Sequence, residues 1–364
     1  QTMSLTDRAG RASLGINTSV MDVNSQGIYI SGYTSKHPQL LQQMLKEFIA
    51  LDISDKHFHE AMDSFQQDMA NKKKNHVFRQ LFGHAQRLSY KHQWPDEEML
   101  AAAKQVSKMD VIAYHQAIKA DPLLRLFAVG NYTEAQVREM ATQAASILPG
   151  KRLPEARAIN QYVTPVADQT VTLSDDVELA DSAVLQAWFG SKKSDDEQAQ
   201  LAVLNSLFSN AFFMQLRTNE QLGYVVTSFN YAVDDIPGFI MLVQSSNTDL
   251  PGIKARMDKF RQDYLATLKA TDEKEIESAK QAMIANVLEK PTDFYSEADR
   301  YSGEFWNAKY RFDSRDRYLA SLQKVTKADL VTIYQALLLN DKSGKALLQL
   351  RGTNFKEKPF ASVK

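Results

Sequence analysis

The feature that most constrains this chain is that it is written twice. "HPQLLQQMLKEF" in the first half has a counterpart in "LPGIKARMDKF", with Pro38 opposite Pro251 and Met44 opposite Met257. The helical segment from Asp55, with Phe58 and Ala61, is answered by Ile276 and Ala279. "VSKMDVIAYHQAIK" is matched almost position for position by "VTKADLVTIYQALL", Val106 standing opposite Val325. "RLFAVG" is then echoed by "ALLQLRG". The offset drifts from 213 (Pro38 to Pro251) to 222 (Gly130 to Gly352), as small loop insertions would produce. Four correspondences in one order point to two copies of one structural unit.

Each copy mixes the two hydrophobic periods. Leu40, Leu41, Met44, Leu45, Phe48 and Ile49 recur at helical spacing, and Ser54 and Asp55 suit the start of the next helix. "LLRLFAVG" reads as a buried strand closed by Gly130. "YVVTSFNYAV", the turn "DDIPG" and "FIMLVQSS" form a hairpin pattern, as do "GINTSV", "MDVNSQ" and "GIYISGY" in the first copy. The expected fold class is α+β, two homologous units, each an antiparallel sheet with helices packed on one face. The second unit opens with a strand pattern, "DSAVLQAWFG", and a long helix that the first unit lacks. About one strand and one helix are therefore missing from the first, truncated at its N-terminus. The expected boundaries are 1–150 for the first unit, 151–165 for a linker containing Pro154 and Pro165, and 166–364 for the second.

Charge and composition exclude several classes. Lys plus Arg number 43 and Asp plus Glu 44, a formal charge of 43 − 44 = −1. No basic excess favours nucleic acid or a membrane surface. The run Lys72–Lys74 fits a solvated helix face. The chain has no cysteine, so disulfides, thiolate metal sites and a cysteine nucleophile are ruled out. No apolar run approaches the roughly 18 residues of a membrane span. The chain opens at Gln1 without a leader pattern, as a processed or truncated product would.

The seven histidines carry no metallopeptidase motif. No two are four residues apart, so neither H-E-x-x-H nor H-x-x-E-H exists. His57 and His59 point to different sides of a helix, and His76, His84 and His92 read as structural or exposed. No metal or other cofactor is expected on this chain. The pairs Asp195–Asp196 and Asp234–Asp235 read as turn residues. Nucleophile-elbow, P-loop and dinucleotide glycine patterns are absent.

One turn stands out. "LRTNEQLGYVV", Leu216 to Val226, places Arg217 and Tyr224 between a helical pattern and a strand pattern. A structural reading pairs Arg217 with Glu220, gives Gly223 a positive φ at the helix end, and packs Tyr224 at a strand edge. A functional reading aims two donors at one place: a phenol that donates to an oxyanion and a guanidinium that holds a substrate carbonyl.

That turn closely resembles the R-x-x-E-Q-L-G-Y segment of the pitrilysin and insulysin family, the inverzincin zinc metallopeptidases. "FDSRDRYLASLQKVT" and the closing strand also look like the last two domains of that family, and the resemblance covers nearly the whole chain. It implies four related α+β domains in two halves that close around a peptide. Zinc and H-x-x-E-H belong to the N-terminal half, on the same polypeptide or on a partner subunit. Arg217 and Tyr224 would reach into its active site, and this half would form one wall of a chamber for small or flexible polypeptides. Alone it would be inactive. Bacterial members imply a periplasmic address. The other reading is a non-catalytic peptide-binding or assembly subunit. An exposed sheet edge in the first unit would also suit exchange of elements in a homo-oligomer.

Overall fold

The structure is a computed structural model describing residues 14–22, 25–91, 93–120, 122–148 and 162–363. Strands β1 (Leu14–Asp22) and β2 (Ser25–Gly32) pair antiparallel. Six helices follow: α1 (His37–Ala50), α2 (Asp55–Lys72), α3 (Val77–Leu88), α4 (Asp96–Ala103), α5 (Lys108–Ala120) and α6 (Glu134–Ile147). Strands β3 (Thr170–Asp176) and β4 (Ser182–Phe189) lead into α7 (Asp195–Phe212), which runs on as a π-helical turn, Phe213–Asn219. Then come β5 (Val225–Asn230), β6 (Gly238–Ser245), α8 (Leu250–Ala270), α9 (Glu273–Leu288), α10 (Phe294–Trp306) and α11 (Ser314–Lys324). Helix α12 (Lys327–Ile333) also ends in a π-helical turn, Tyr334–Leu338, before β7 (Gly344–Arg351). The expected mixture of sheet and helices is what forms.

The written-twice pattern reaches down to single hydrogen bonds. Pro38 and Pro251 each occupy the first turn of their helices, α1 and α8, where a missing N–H is harmless. Before α5, Ser107 accepts from Asp110 N–H (3.2 Å) and the Asp110 carboxylate accepts from Ser107 N–H (2.8 Å). Before α12, Thr326 and Asp329 make the same reciprocal pair at 3.3 and 2.9 Å. The two helices therefore start with one capping device.

Packing divides the described residues into two units whose segments interleave. One holds β1, β2, α1, most of α2, α4 to α6 and α10; the other holds α3, β3 to β7, α7 to α9, α11 and α12. In the first, Leu40 and Met44 of α1 pack on Ile28 and Ile30 of β2. "LLRLFAVG" corrects the expectation of a strand: residues 122–129 join no ladder. A strand needs a hydrogen-bonding neighbour, and among the described residues none runs beside it. Arg125 instead donates to Phe305 O and lies over the rings of Phe305 and Trp306, 5.1 and 5.2 Å from their centroids. Most of the linker expected at 151–165 lies outside the described residues. Its end is tied down, with Val163 N–H donating to Ser89 O at 3.0 Å.

The second unit is built on a five-stranded sheet in the order β3-β7-β4-β6-β5. Every residue of β4 and β6 is buried, because both strands are central and covered on two faces. Val184, Trp188, Phe239, Met241 and Val243 face the layer of α7, α8, α9, α11 and α12, around Phe208 and Phe212. The alternate residues Leu185, Ala187, Ile240, Leu242 and Leu348 face Val77 and Leu81 of α3. Two features add to the antiparallel sheet with one helical layer read from the sequence. β3 joins β7 parallel, and α3, which precedes the unit's strands in sequence, covers the other face. A sheet apolar on both sides requires a second cover.

Candidate functional site

The turn that carries Arg217 and Tyr224 is held open by an unusual helix end. Ser194 Oγ accepts from Glu197 N–H (3.1 Å) and starts α7, which buries Leu201, Leu204, Phe208 and Phe212. The helix then widens. Glu220 N–H reaches Gln215 O (3.0 Å) and Leu222 N–H reaches Leu216 O (2.8 Å), each spanning more than an α-helical turn. Fully buried Leu216 anchors the turn from inside.

Gly223 does not take the positive φ expected of a helix-ending glycine; Gln221 does, at 51°. Glycine is required at 223 for another reason. A Cβ there would stand 2.0 Å from Gln244 O of β6. The close approach of backbones brings the turn against the sheet. Ser245 Oγ donates to Leu222 O (2.5 Å) and fastens it.

Tyr224 emerges from this contact 46% exposed. Its hydroxyl donates to Asp181 Oδ2 at 2.6 Å. Gln244 Nε2 donates both to the Tyr224 oxygen and to Asp181 Oδ2, the latter at 2.7 Å. Burial of the phenol group, reinforced by the bond to Asp181 and its negative charge, pushes the tyrosine up to about 12; Gln244 offsets part of this. Tyr224 is therefore a neutral donor at any physiological pH.

Arg217 is half-buried on the same turn. The local ion pair with Glu220 does not form. Glu220 Oε2 pairs with Arg256 Nη1 at 2.7 Å, and its Oε1 accepts from Gln215 Nε2 at 3.0 Å. Among the described residues the Arg217 guanidinium has no hydrogen-bond or ion-pair partner. A structural arginine at that depth is ordinarily paired. No bond joins Arg217 to Tyr224; they share only the turn.

The acidic pairs divide. Asp234 and Asp235 form the hairpin tip, both with positive φ (49° and 64°), flanked by the Val233–Ile236 bridge. Asp195 and Asp196 are not turn residues but the first turn of α7, where acidic side chains suit the helix dipole. Asp195 also pairs with Arg317 (2.8 Å), and Asp196 accepts from Ser321 Oγ (2.6 Å).

The histidines stay apart. His57 and His59 are exposed, His37 is buried against the Tyr132 hydroxyl, and His115 meets the Phe48 ring edge-on at 4.7 Å. His92 lies outside the described residues. No group of three or more His, Cys, Asp or Glu among the described residues could hold a metal ion, so the donor set does not fit one. No helix among them is long and apolar enough to cross a membrane.

Two residues of the site escaped the sequence reading: Asp181 and Gln244. A signal for Gln244 exists, since it is a lone amide inside the apolar run "FIMLVQS" and a buried amide needs partners. Asp181 carries none; only the fold brings it to Tyr224.

The fold and this turn define an α+β protein that presents hydrogen-bond donors without a metal centre among its described residues. Residues 2–102 match the middle or third domain of M16 peptidases. Residues 203–302, which include the whole turn, match domain 4 of the C-terminal lobe of PQQ synthase PqqF-like proteins. Protease 3 of Shigella flexneri is 28% identical over 354 residues, covering 96% of this chain and 36% of the relative. Human insulin-degrading enzyme is 22% identical over 336 residues, 86% of this chain and 32% of that protein. The crystal structure of pitrilysin superposes with a TM-score of 0.87 at 25% identity, over 99% of this chain and 38% of that one. The chain is similar to M16 peptidases over their middle and C-terminal domains. It spans about a third of the length of the curated relatives it matches.

Proposed function

We propose that this chain is the C-terminal, non-zinc half of a pitrilysin-like zinc metalloendopeptidase that degrades small or flexible polypeptides. In this reading 1–150 is the third and 166–364 the fourth domain of the family. The chain forms one wall of the peptide chamber. The zinc belongs to the N-terminal half, carried on the same polypeptide or on a partner subunit, and the assembled enzyme works in the periplasm. Tyr224 donates a hydrogen bond to the peptide carbonyl oxygen as it gains negative charge. Arg217 holds the substrate backbone with a guanidinium that no protein group competes for. This chain alone is inactive.

The observation that carries the reading is the half-buried guanidinium of Arg217, without a partner among the described residues, on the same turn as the half-exposed Tyr224. The test mixes the purified chain with the zinc-bearing half of a relative and follows peptide hydrolysis. Zinc-dependent activity is expected only in the mixture, with Tyr224→Phe lowering kcat by about 10²–10³-fold. Restored activity indifferent to Tyr224→Phe and Arg217→Ala would assign this chain a binding or assembly role with no part in the chemistry.

A further inference from the structure

Tyr224 has one hydroxyl proton, and Asp181 already holds it. A phenol is a single donor, so a hydroxyl bonded to a carboxylate has nothing to give a second acceptor. The Asp181 main chain and the Gln244 side chain are both held by contacts outside this group. The main chain at Asp181 is wedged against Gly352, the residue after β7: a Cβ there would stand 2.2 Å from Asp181 O and 2.3 Å from Ala180 O. Gln244 is almost fully buried, and its Oε1 accepts from Phe78 N–H in the first turn of α3 at 2.9 Å. That bond settles the amide's orientation: with Oε1 turned to α3, Nε2 must face Asp181 and Tyr224. Asp181 and Gln244 together therefore grip a hydroxyl whose ring is half exposed.

The geometry points to Asp181 as a positioning residue for Tyr224. With Gln244 it forms a clasp that keeps the hydroxyl on the sheet, and a peptide carbonyl engages Tyr224 only by winning its proton from that carboxylate. The idea rests on the role proposed above for Tyr224, but the clasp can be read without turnover. The chain is labelled with [13Cζ]tyrosine, and the Tyr224 signal is identified by its loss in Tyr224→Phe. At about pH 10.5 the native Tyr224 should remain mostly neutral, while Asp181→Asn should show an ionised fraction about threefold larger or more. Equal fractions in the two chains would overturn the clasp. If Asp181→Asn fails to fold, the native chain still decides. A downfield hydroxyl proton that exchanges slowly and vanishes in Tyr224→Phe supports the clasp; its absence in the native chain overturns it. Loss of activity on Tyr224→Phe in the reassembled enzyme is a separate readout, so the catalytic role and the clasp can fail independently.

Discussion

At the scale of single residues, the turn separates side chains that hold the fold from side chains that do not. Gly223 holds it. Any side chain there collides with Gln244 O, so Gly223→Ala should destabilise by about 1–3 kcal/mol or more, read as a lowered urea midpoint at unchanged m. Arg217 does not. With no partner among the described residues to lose, Arg217→Ala should shift stability by less than about 0.5 kcal/mol while removing substrate binding from the assembled enzyme. A drop of several kcal/mol would mean the guanidinium has a structural task. The sequence exposed these roles unevenly. Arg217 and Tyr224 were legible because their spacing matches a known segment. Glycine at 223 was legible as necessary, but for the wrong reason, because a positive φ and a close backbone approach leave the same letter. Asp181 was not legible at all: it lies 43 residues from Tyr224 and nothing local marks it.

At the scale of elements, local chemistry was readable and partnership was not. The prolines of α1 and α8 and the hairpin turn at Asp234–Asp235 were read from the sequence; the capping boxes at Ser107–Asp110 and Thr326–Asp329 were not, though they too are short-range bonds. Thr326→Ala should therefore lower stability by about 1 kcal/mol. The strand expected at "LLRLFAVG" failed because strand identity depends on a neighbour, which an apolar run cannot announce. The placement of α3 was hidden for a similar reason. Its apolar stripe, Val77, Phe78, Leu81 and Phe82, shows that it buries a face but not which sheet receives it. Leu81 is completely buried there, so Leu81→Ala should destabilise the five-stranded unit by about 2–5 kcal/mol. A near-neutral result would mean that α3 is dispensable to that sheet.

At the scale of the molecule, the two units should respond differently to acid. Burial lowers the pKa of both His37 and His115, outweighing the backbone hydrogen bonds that raise it, and both belong to the unit with the β1–β2 hairpin. Each is proton-poor when folded relative to unfolded. Their contribution is complete above the ordinary histidine value of 6.5 and is lost as pH falls from there through the lower folded values. In the sheet unit, burial works against the Asp258 carboxylate, but Lys254, Gln186 and Arg261 more than offset it. The net shift is downward, so its losses come below the ordinary 3.8. Acidifying from pH 7.5 to 5 should therefore weaken the first unit selectively, seen as faster amide exchange in α1 and α5 than in β4 and β6. Uniform loss, or a gain, would contradict it. The central claim concerns the whole enzyme: this chain supplies donors and another half supplies the metal. The most direct measurement is peptide hydrolysis by the chain alone and by the chain mixed with a zinc-bearing half. The account predicts no turnover alone and zinc-dependent turnover in the mixture that collapses with Tyr224→Phe. Zinc-dependent turnover by the chain on its own would contradict it.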